Sequence, residues 1–282
     1  MKRKTAIAQR RILKLRLVKL KLVKLSLVTS SLVTLALLPR SATSQQVTDR
    51  GFEIVNEMDR RSHGFKDFQA KLDMQIHDAK GRVRVREMDV RGLESEDGDR
   101  TIMVLSRPAD LSGTAFLSVT QGEGRRAQWM YLPAARRRRR IGGSQTDDSF
   151  LGSHFTYGDM APPSIEGFSY RWVRDEDVAG SPGALVERCP SSCTEGAKRE
   201  LLWIDTDRYL LHRVDYFDSD GVHDRTLLIT GYELVDGFWR AMHMEMVEVD
   251  DGGKTVLDWS ELRLGIGLRE RDFDPARLGE VR

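Results

Sequence analysis

The amino-acid sequence predicts a mainly β protein, an antiparallel sheet of about ten strands with one α-helix at its start. Apolar and polar residues alternate in short runs, which begin at Phe68 and recur to the end of the chain. Turn residues separate these runs, and Asp236-Gly237 is the strongest hairpin signal among them. Short turns join neighbouring strands antiparallel, and a sheet of this size usually curls or closes. The helix at its start could cover the open face.

The first segment has the organisation of an export signal. Residues 1–44 hold eleven basic residues and no acidic residue. The basic region ends at Lys24, and the mostly apolar run Leu25 to Leu38 follows, before the small residues Ser41 to Ser44. This order predicts a Sec-type signal peptide over residues 1–44, cleaved near Ser44. An uncleaved anchor is the weaker alternative, because the apolar run is shorter than the roughly 20 residues that span a bilayer.

Residues 45–282 are predicted to form a single exported domain with an acidic balance. The whole chain has 45 Lys and Arg residues against 43 Asp and Glu residues. Without the basic leader, 34 basic and 43 acidic residues remain, a formal charge of −9. The apolar fraction of 40% supplies a core and excludes collagen-like, disordered and multi-span membrane classes. The acidic body also disfavours nucleic acid as a partner.

One amphipathic helix is predicted from about Val47 to Arg60. Thr48 is placed to cap its N-terminus, and Phe52, Val55 and Met58 follow the 3–4 spacing of one helix face. These three apolar side chains are therefore expected to face the sheet.

The strands follow from a residue period of two. Apolar residues occupy every second position from Phe68 to Ile76, which predicts a strand with one buried face. Val83 and Val85 resume the alternation, but Met88 has the opposite parity, so a bulge is expected around Arg86-Glu87. The remaining predicted strands are Thr101 to Ser106, Thr114 to Thr120, Ala127 to Leu132, Ser169 to Arg174, Ala184 to Arg188, Leu201 to Asp205, Tyr209 to Phe217, Arg225 to Val235, Phe238 to Val249 and Lys254 to Leu264.

The two cysteines, Cys189 and Cys193, lie in a Cys-Pro-Ser-Ser-Cys stretch with loop character. In an exported protein we expect a disulfide that pins one tight turn. A zinc site would need further Cys or His residues nearby, and the spacing differs from that of the redox CxxC motif.

Sequence motifs for catalysis are missing. The chain has no P-loop, GxSxG or HExxH motif, and its six histidines are dispersed, so we predict no enzyme activity, no cofactor and no metal. Met242, Met244 and Met246 would share one face of a strand, where thioethers could hold Cu(I). The alternative that we favour is that these methionines fill an apolar core or cavity.

Five consecutive arginines, Arg136, Arg137, Arg138, Arg139 and Arg140, form the most unusual stretch of the exported part. A strand would place at least two of them on the inner face, whereas a loop would leave all five in solvent. Three interpretations remain open: a basic surface turn, a docking patch for an acidic partner or anionic lipid headgroups, and, most weakly, nucleic acid. The nearest candidate counter-ions are Asp147, Asp148 and Asp159.

Three stretches around the arginines carry a recognisable pattern, Trp129 to Ala135, Arg140 to Ser144 and Ser149 to Met160. They resemble LolA-like outer-membrane lipoprotein-sorting proteins. Segments near Trp203, Tyr216 and Gly237 extend the resemblance over most of Gln45 to Leu278. Two positions depart from the family pattern, which usually has an acid at His154 and often another at Gly158. The residues that match the motif are Tyr131, Leu132, Pro133, Arg140, Phe150, Phe155, Tyr157 and Asp159.

The resemblance implies a strongly curved antiparallel sheet, an incomplete, half-open barrel covered by an α-helical lid, with acyl chains or another hydrophobic molecule inside. It implies a periplasmic carrier or chaperone for a lipidated protein or a free lipid. An inner-membrane transporter, of the ABC lipoprotein-exporter or RND type, would supply the cargo, and an outer-membrane acceptor would receive it. The predicted cavity lining is Phe52, Val55, Met58, Leu72, Met74, Met103, Leu105, Phe116, Trp129, Tyr131 and Met244.

Three alternatives to a lipid carrier stay open at this point. The apolar residues could form a solid core, the protein could be an accessory subunit of an RND-type exporter without cargo, or it could be a metal-dependent enzyme or a copper-binding protein. If the lining is correct, Tyr131→Ala and Met244→Glu should weaken lipid binding more than Arg138→Ala does.

Overall fold

The computed structural model describes residues 42–281 of the chain. These residues belong to one compact unit. The predicted signal peptide lies outside the described residues, except for Ala42 to Ser44, which begin the helix. Among the described residues, no helix combines the length and the apolarity that a membrane span requires.

One α-helix precedes thirteen strands. The helix α1 spans Ala42–Ser62 and ends shortly before Gly64, which takes a φ of +105°. Six short 3₁₀ segments span Gly122–Gly124, Pro133–Ala135, Gly143–Asp147, Phe150–Gly152, Glu270–Phe273 and Pro275–Arg277. The strands are β1 (Asp67–His77), β2 (Val83–Leu93), β3 (Asp99–Arg107), β4 (Ala115–Gln121), β5 (Arg125–Leu132), β6 (Arg137–Ile141), β7 (Phe168–Val178), β8 (Ser181–Pro190), β9 (Arg199–Asp205), β10 (Leu210–Phe217), β11 (His223–Val235), β12 (Phe238–Glu248) and β13 (Lys254–Leu264).

All thirteen strands form one antiparallel sheet. Their order is β6-β5-β4-β3-β2-β1-β13-β12-β11-β10-β9-β8-β7, so the first and last strands of the chain pair at its centre. The sheet does not close, because β6 and β7 are its two edges. This arrangement confirms the predicted fold class, a curved half-barrel with a helical lid.

The observed elements match most of the predicted ones and correct the start of the helix. The register shifts between Glu87 and Met88, where the parity change predicts a bulge. The hairpin at Asp236-Gly237 is also confirmed, since both residues have positive φ (48° and 90°). The helix begins five residues earlier than predicted, so Thr48 lies inside α1 rather than at its cap. The arginine run, for which the sequence left strand and loop open, contributes the edge strand β6.

The sheet buries apolar residues on both faces. The inner face, which α1 and residues 149–160 cover, carries two apolar clusters that share Tyr216 and Leu227 as partly buried neighbours. The outer face carries a third cluster on β3, β4 and β5, which the C-terminal segment covers with Phe273 and Leu278. The strand β4 is consequently buried at every position except Gln121, its last residue.

Candidate functional site

Residues 149–160, called the plug loop here, fill one half of the inner face. Phe150 is fully buried, and its ring centroid lies 5.2 Å from that of Phe116 and 5.5 Å from that of Tyr157. Phe155 and Met160 are buried in the same cluster. Aromatic rings at these separations pack edge to face, and such pairs stabilise the fold by more than their buried apolar area alone would. The plug loop therefore covers this half of the inner face of the sheet.

Hydrogen bonds hold the plug loop against the sheet. The Gln128 side-chain amide donates to the Tyr157 carbonyl at 2.7 Å. The Asp159 carboxylate accepts from the Thr156 amide and hydroxyl, both at 2.8 Å, and from the Arg225 guanidinium at 2.6 Å. Because Arg225 belongs to β11, this ion pair ties the loop to a strand on which none of the buried residues of its own cluster lies.

The helix α1 covers the other half of the inner face. Val55 is buried against β7, β8, β9 and β10, and Met58 packs against the same cluster. The helix lies so close to β7 that a Cβ on Gly51 would be 2.6 Å from the Trp172 amide nitrogen. Charged contacts also hold the helix, since Arg50 pairs with Asp175 at 2.6 Å. The lid therefore rests on few apolar side chains, on one close backbone approach and on the surface ion pair between Arg50 and Asp175.

A groove of about 1020 Å³ opens beside this lid. The helix lines one wall with Phe52, Asn56, Asp59 and His63. Residues from the segments 95–99, 120–122 and 163–168, together with Ser191, line the remainder. Phe52 is 47% exposed here, although it lies on the sheet-facing side of the helix, 6.3 Å from the Tyr170 ring. Partial exposure of a large apolar side chain in a concave site is typical of a ligand-binding surface.

An imidazole closes one end of the groove. His63 contacts Asp99 through Nε2 at 3.3 Å and the Asp59 carbonyl through Nδ1 at 2.8 Å. Both ring nitrogens face acceptors, as an imidazolium requires. The hydrogen bond to Asp99 is the main cause that raises the pKa of His63 to about 9. Burial raises the pKa of the neighbouring Asp59 carboxyl. His63 thus links the end of α1 to the start of β3 by a charged contact.

This contact predicts a pH dependence. The folded pKa of His63, about 9, lies above its ordinary value of 6.5, so its contribution to stability is complete below pH 6.5 and is lost as the pH rises through about 9. We expect the free energy of unfolding to fall more steeply over this range in the wild type than in His63→Gln. Urea titrations at a series of pH values measure both slopes. Equal slopes in the wild type and in His63→Gln would contradict the assignment of this pH dependence to His63.

A group of polar side chains lies beside the apolar cluster that α1 covers. Arg188 pairs with Glu200, and its guanidinium lies 4.7 Å from the Phe168 ring centroid. Tyr216 lies beside this pair, and burial is the main cause that raises its pKa. This group was not among the site residues predicted from the sequence. The alternation of β8 and β9 places Arg188 and Glu200 on the parity of the buried residues Val186 and Leu202, a signal that could have indicated it.

The structure corrects two of the predicted cavity residues. In the register of β4 and β5, Phe116 opposes Met130, whereas Leu117 opposes Trp129 and Ala115 opposes Tyr131. Phe116 lies in the inner-face cluster, but Trp129 and Tyr131 pack in the outer-face cluster. Assigning them to the cavity was therefore wrong, because the opposite parity of β5 faces inward. Tyr131→Ala should accordingly affect the packing of the C-terminal segment rather than lipid binding.

The other predicted lining residues lie on the inner face, but most are packed against protein. Met244 is partly buried, and Met246 on the same strand is fully buried in the apolar cluster. Among residues 42–281, no group of three or more His, Cys, Asp and Glu residues is arranged to hold a metal ion. Phe52 is the predicted lining residue that reaches the groove. Five of the predicted lining residues are buried in the same apolar cluster as the plug loop: Leu72, Met74, Met103, Leu105 and Phe116.

The remaining predicted residues lie outside the groove. Leu132 is 37% exposed at the end of β5, and Pro133 begins the turn into β6. Cys189 and Cys193 form a disulfide at the end of β8. All five side chains of the arginine run are exposed: Arg136, Arg137, Arg138, Arg139 and Arg140.

Comparison with known proteins identifies a matching family model and several similar solved structures. A family model described as an uncharacterized protein matches residues 97–280, and no curated protein matches the chain. A domain assigned to outer-membrane lipoprotein sorting, from Vibrio parahaemolyticus, is 32% identical with a TM-score of 0.78, over 82% of this chain and 99% of that one. A DUF1329 family protein from Desulfovibrio piger is 28% identical with a TM-score of 0.75, over 82% of this chain and 99% of that one.

A third solved structure supports the fold alone. The LolA superfamily protein from Nitrosomonas europaea is 19% identical with a TM-score of 0.63, over 79% of this chain and 97% of that one. Its likeness reproduces the half-barrel at low sequence identity. The family assignment comes from the Vibrio relative: at 32% identity over 82% of the chain, it shows that the chain belongs to the family of this outer-membrane lipoprotein-sorting domain.

Proposed function

We propose that the protein is a periplasmic, non-catalytic carrier that holds the acyl chains of a lipidated protein or of a free lipid. The groove beside α1, with Phe52 in its wall, is the observation that supports this proposal. The likeness to a lipoprotein-sorting domain supports the choice of cargo. An inner-membrane transporter would load the carrier, and an outer-membrane acceptor would unload it.

The energetics of an acyl chain suit such a site. Burial of each methylene contributes about 0.8 kcal/mol, so about ten methylenes offer about 8 kcal/mol before the cost of ordering the chain. The groove supplies the entrance, and displacement of α1 from β7 would uncover the apolar residues beneath it, including Val55. The plug loop, by contrast, is anchored by the ion pair between Asp159 and Arg225. The cargo is therefore expected under the helix, toward β7.

Native mass spectrometry of protein purified from a bacterial periplasm, followed by lipid extraction, tests the proposal. We expect bound lipid or an acylated peptide in the wild type. Phe52→Asp should reduce binding of a fluorescent fatty acid at least tenfold, because the carboxylate would be desolvated against the acyl chain. Val222→Asp is the matched control, since Val222 is 56% exposed in the turn between β10 and β11, away from the groove.

Two outcomes would contradict the carrier. A mass without ligand, together with rejection of added lipids, would favour the accessory subunit of an RND-type exporter. Equal affinities of Phe52→Asp and Val222→Asp would place any lipid elsewhere on the protein. A copper protein would instead bind Cu(I) and lose it when Met242, Met244 and Met246 are replaced.

A further inference from the structure

The five arginines occupy a free edge of the sheet. Four of them belong to β6, which pairs with β5 on one side and is the last strand of the sheet on the other. Arg138 opposes Tyr131 and Arg140 opposes Trp129, so these two lie on the outer face, and Arg139 lies on the inner face with Met130. Cationic side chains thus project from both sides of one exposed strand. We call Arg136 to Arg140 the basic edge.

The charge of the basic edge is not neutralised within the described part of the chain. Among residues 42–281, no carboxylate forms an ion pair with any of the five guanidinium groups. Two of the candidate counter-ions are engaged elsewhere, Asp147 with Lys198 at 2.7 Å and Asp159 with Arg225 at 2.6 Å. Exposed arginines elsewhere on the domain do form ion pairs, as Arg171 does with Glu187 and Arg174 with Glu176. A local charge of +5 therefore faces solvent on a domain with a formal charge of −9.

Exposed apolar residues lie at the same end of the sheet. Leu132 opposes Arg137 in the ladder and is 37% exposed. Val83 and Val85 are 50% and 46% exposed at the start of β2, beyond Glu87, where the pairing of β2 with β3 begins. Four strand spacings separate β2 from β6, about 19 Å at about 4.8 Å each. Val83, Val85 and Leu132 therefore lie at the same end of the sheet as the basic edge. We call these residues together the margin of the domain.

We propose that this margin docks on an anionic lipid surface, with the basic edge on the headgroups and Val83, Val85 and Leu132 at the interface. A headgroup layer accepts arginines from both faces of a strand and needs no fixed register. The acidic remainder of the domain is repelled, so the opposed charges orient the margin toward the surface. Addition of an acidic strand from a partner protein is less favoured, because charged edge strands oppose strand pairing. Docking does not require cargo, so its test is independent of the proposed function.

Vesicle co-sedimentation of the full protein tests docking. We use phosphatidylcholine vesicles and vesicles in which phosphatidylglycerol replaces about a third of the lipid. Each basic residue near an anionic surface contributes about fivefold in affinity, so the basic-edge variant R137Q/R138Q/R139Q/R140Q should lose at least tenfold in binding to the anionic vesicles. Binding should also weaken as salt shortens the screening length from about 10 Å at 0.1 M to about 3 Å at 1 M.

A charge-matched control separates position from net charge. Four exposed cations that pair with acids elsewhere on the domain are replaced in K71Q/R171Q/R174Q/R277Q, which should bind within about twofold of the wild type. The variant V83N/V85N should bind anionic vesicles more weakly than the wild type while keeping its salt dependence. Failure of the wild type to prefer anionic vesicles would overturn the proposal, as would equal losses in the basic-edge and control variants. Retention of an acidic extended peptide without vesicle binding would identify a protein partner instead.

Discussion

Phe150→Ala is expected to lower the free energy of unfolding by about 3–5 kcal/mol. Phe150 is fully buried between the rings of Phe116 and Tyr157 at the centre of the plug loop. Its removal would leave a cavity that the surrounding strands cannot fill, because sheet positions relax little. Urea unfolding followed by fluorescence measures the loss.

Phe52→Ala is the matched control, since the same atoms are removed from a side chain that is 47% exposed in the groove. We expect this control to cost less than about 1 kcal/mol and to weaken lipid binding instead. The two variants thus separate the packed half of the inner face from the half that is proposed to bind cargo. A loss below about 1 kcal/mol in Phe150→Ala would contradict the tight packing of the plug loop against the sheet.

Gly51→Ala is expected to destabilise the closed lid by about 1–3 kcal/mol. Alanine is the better helix former by about 1 kcal/mol, so helix propensity alone predicts stabilisation. The added Cβ, however, would lie 2.6 Å from the Trp172 amide nitrogen and 2.9 Å from the Arg171 carbonyl carbon. These are backbone atoms of β7 that cannot rotate away, so we expect steric overlap to outweigh propensity and to lift α1 from the sheet.

Three measurements report whether α1 has moved away from the sheet in Gly51→Ala. The free energy of unfolding should fall, the amides of α1 should exchange faster, and an apolar dye should fluoresce more strongly as the residues beneath the helix are uncovered. Gly142→Ala is the control, because a Cβ there meets nothing within 4 Å and the backbone is extended. A rise in the free energy of unfolding of about 1 kcal/mol in Gly51→Ala would show that helix propensity outweighs the steric overlap with β7. The helix would then be free to shift outward.

One half of the inner face is packed protein, and the proposed cargo site lies beside the other half. The sequence left open whether the apolar residues form a cavity or a packed core, and the structure assigns Leu72, Met74 and Phe116 to packed protein. The reason is the plug loop, whose aromatic residues belong to the family motif but carry no period that indicates where they pack. Their destination depends on long-range contacts, such as the hydrogen bond from Gln128 to the Tyr157 carbonyl.

The amino-acid sequence by itself determined the features that depend on neighbouring residues. A period of two identified the strands, Asp236-Gly237 identified a hairpin, and the parity change before Met88 identified a bulge. The tertiary structure alone decided which face of β5 points inward. Both parities of β5 contain apolar residues, so Met130 and Trp129 are equivalent candidates until β5 pairs with β4. Because a strand has only two faces, one pairing register places Met130 in the inner cluster and Trp129 beneath the C-terminal segment.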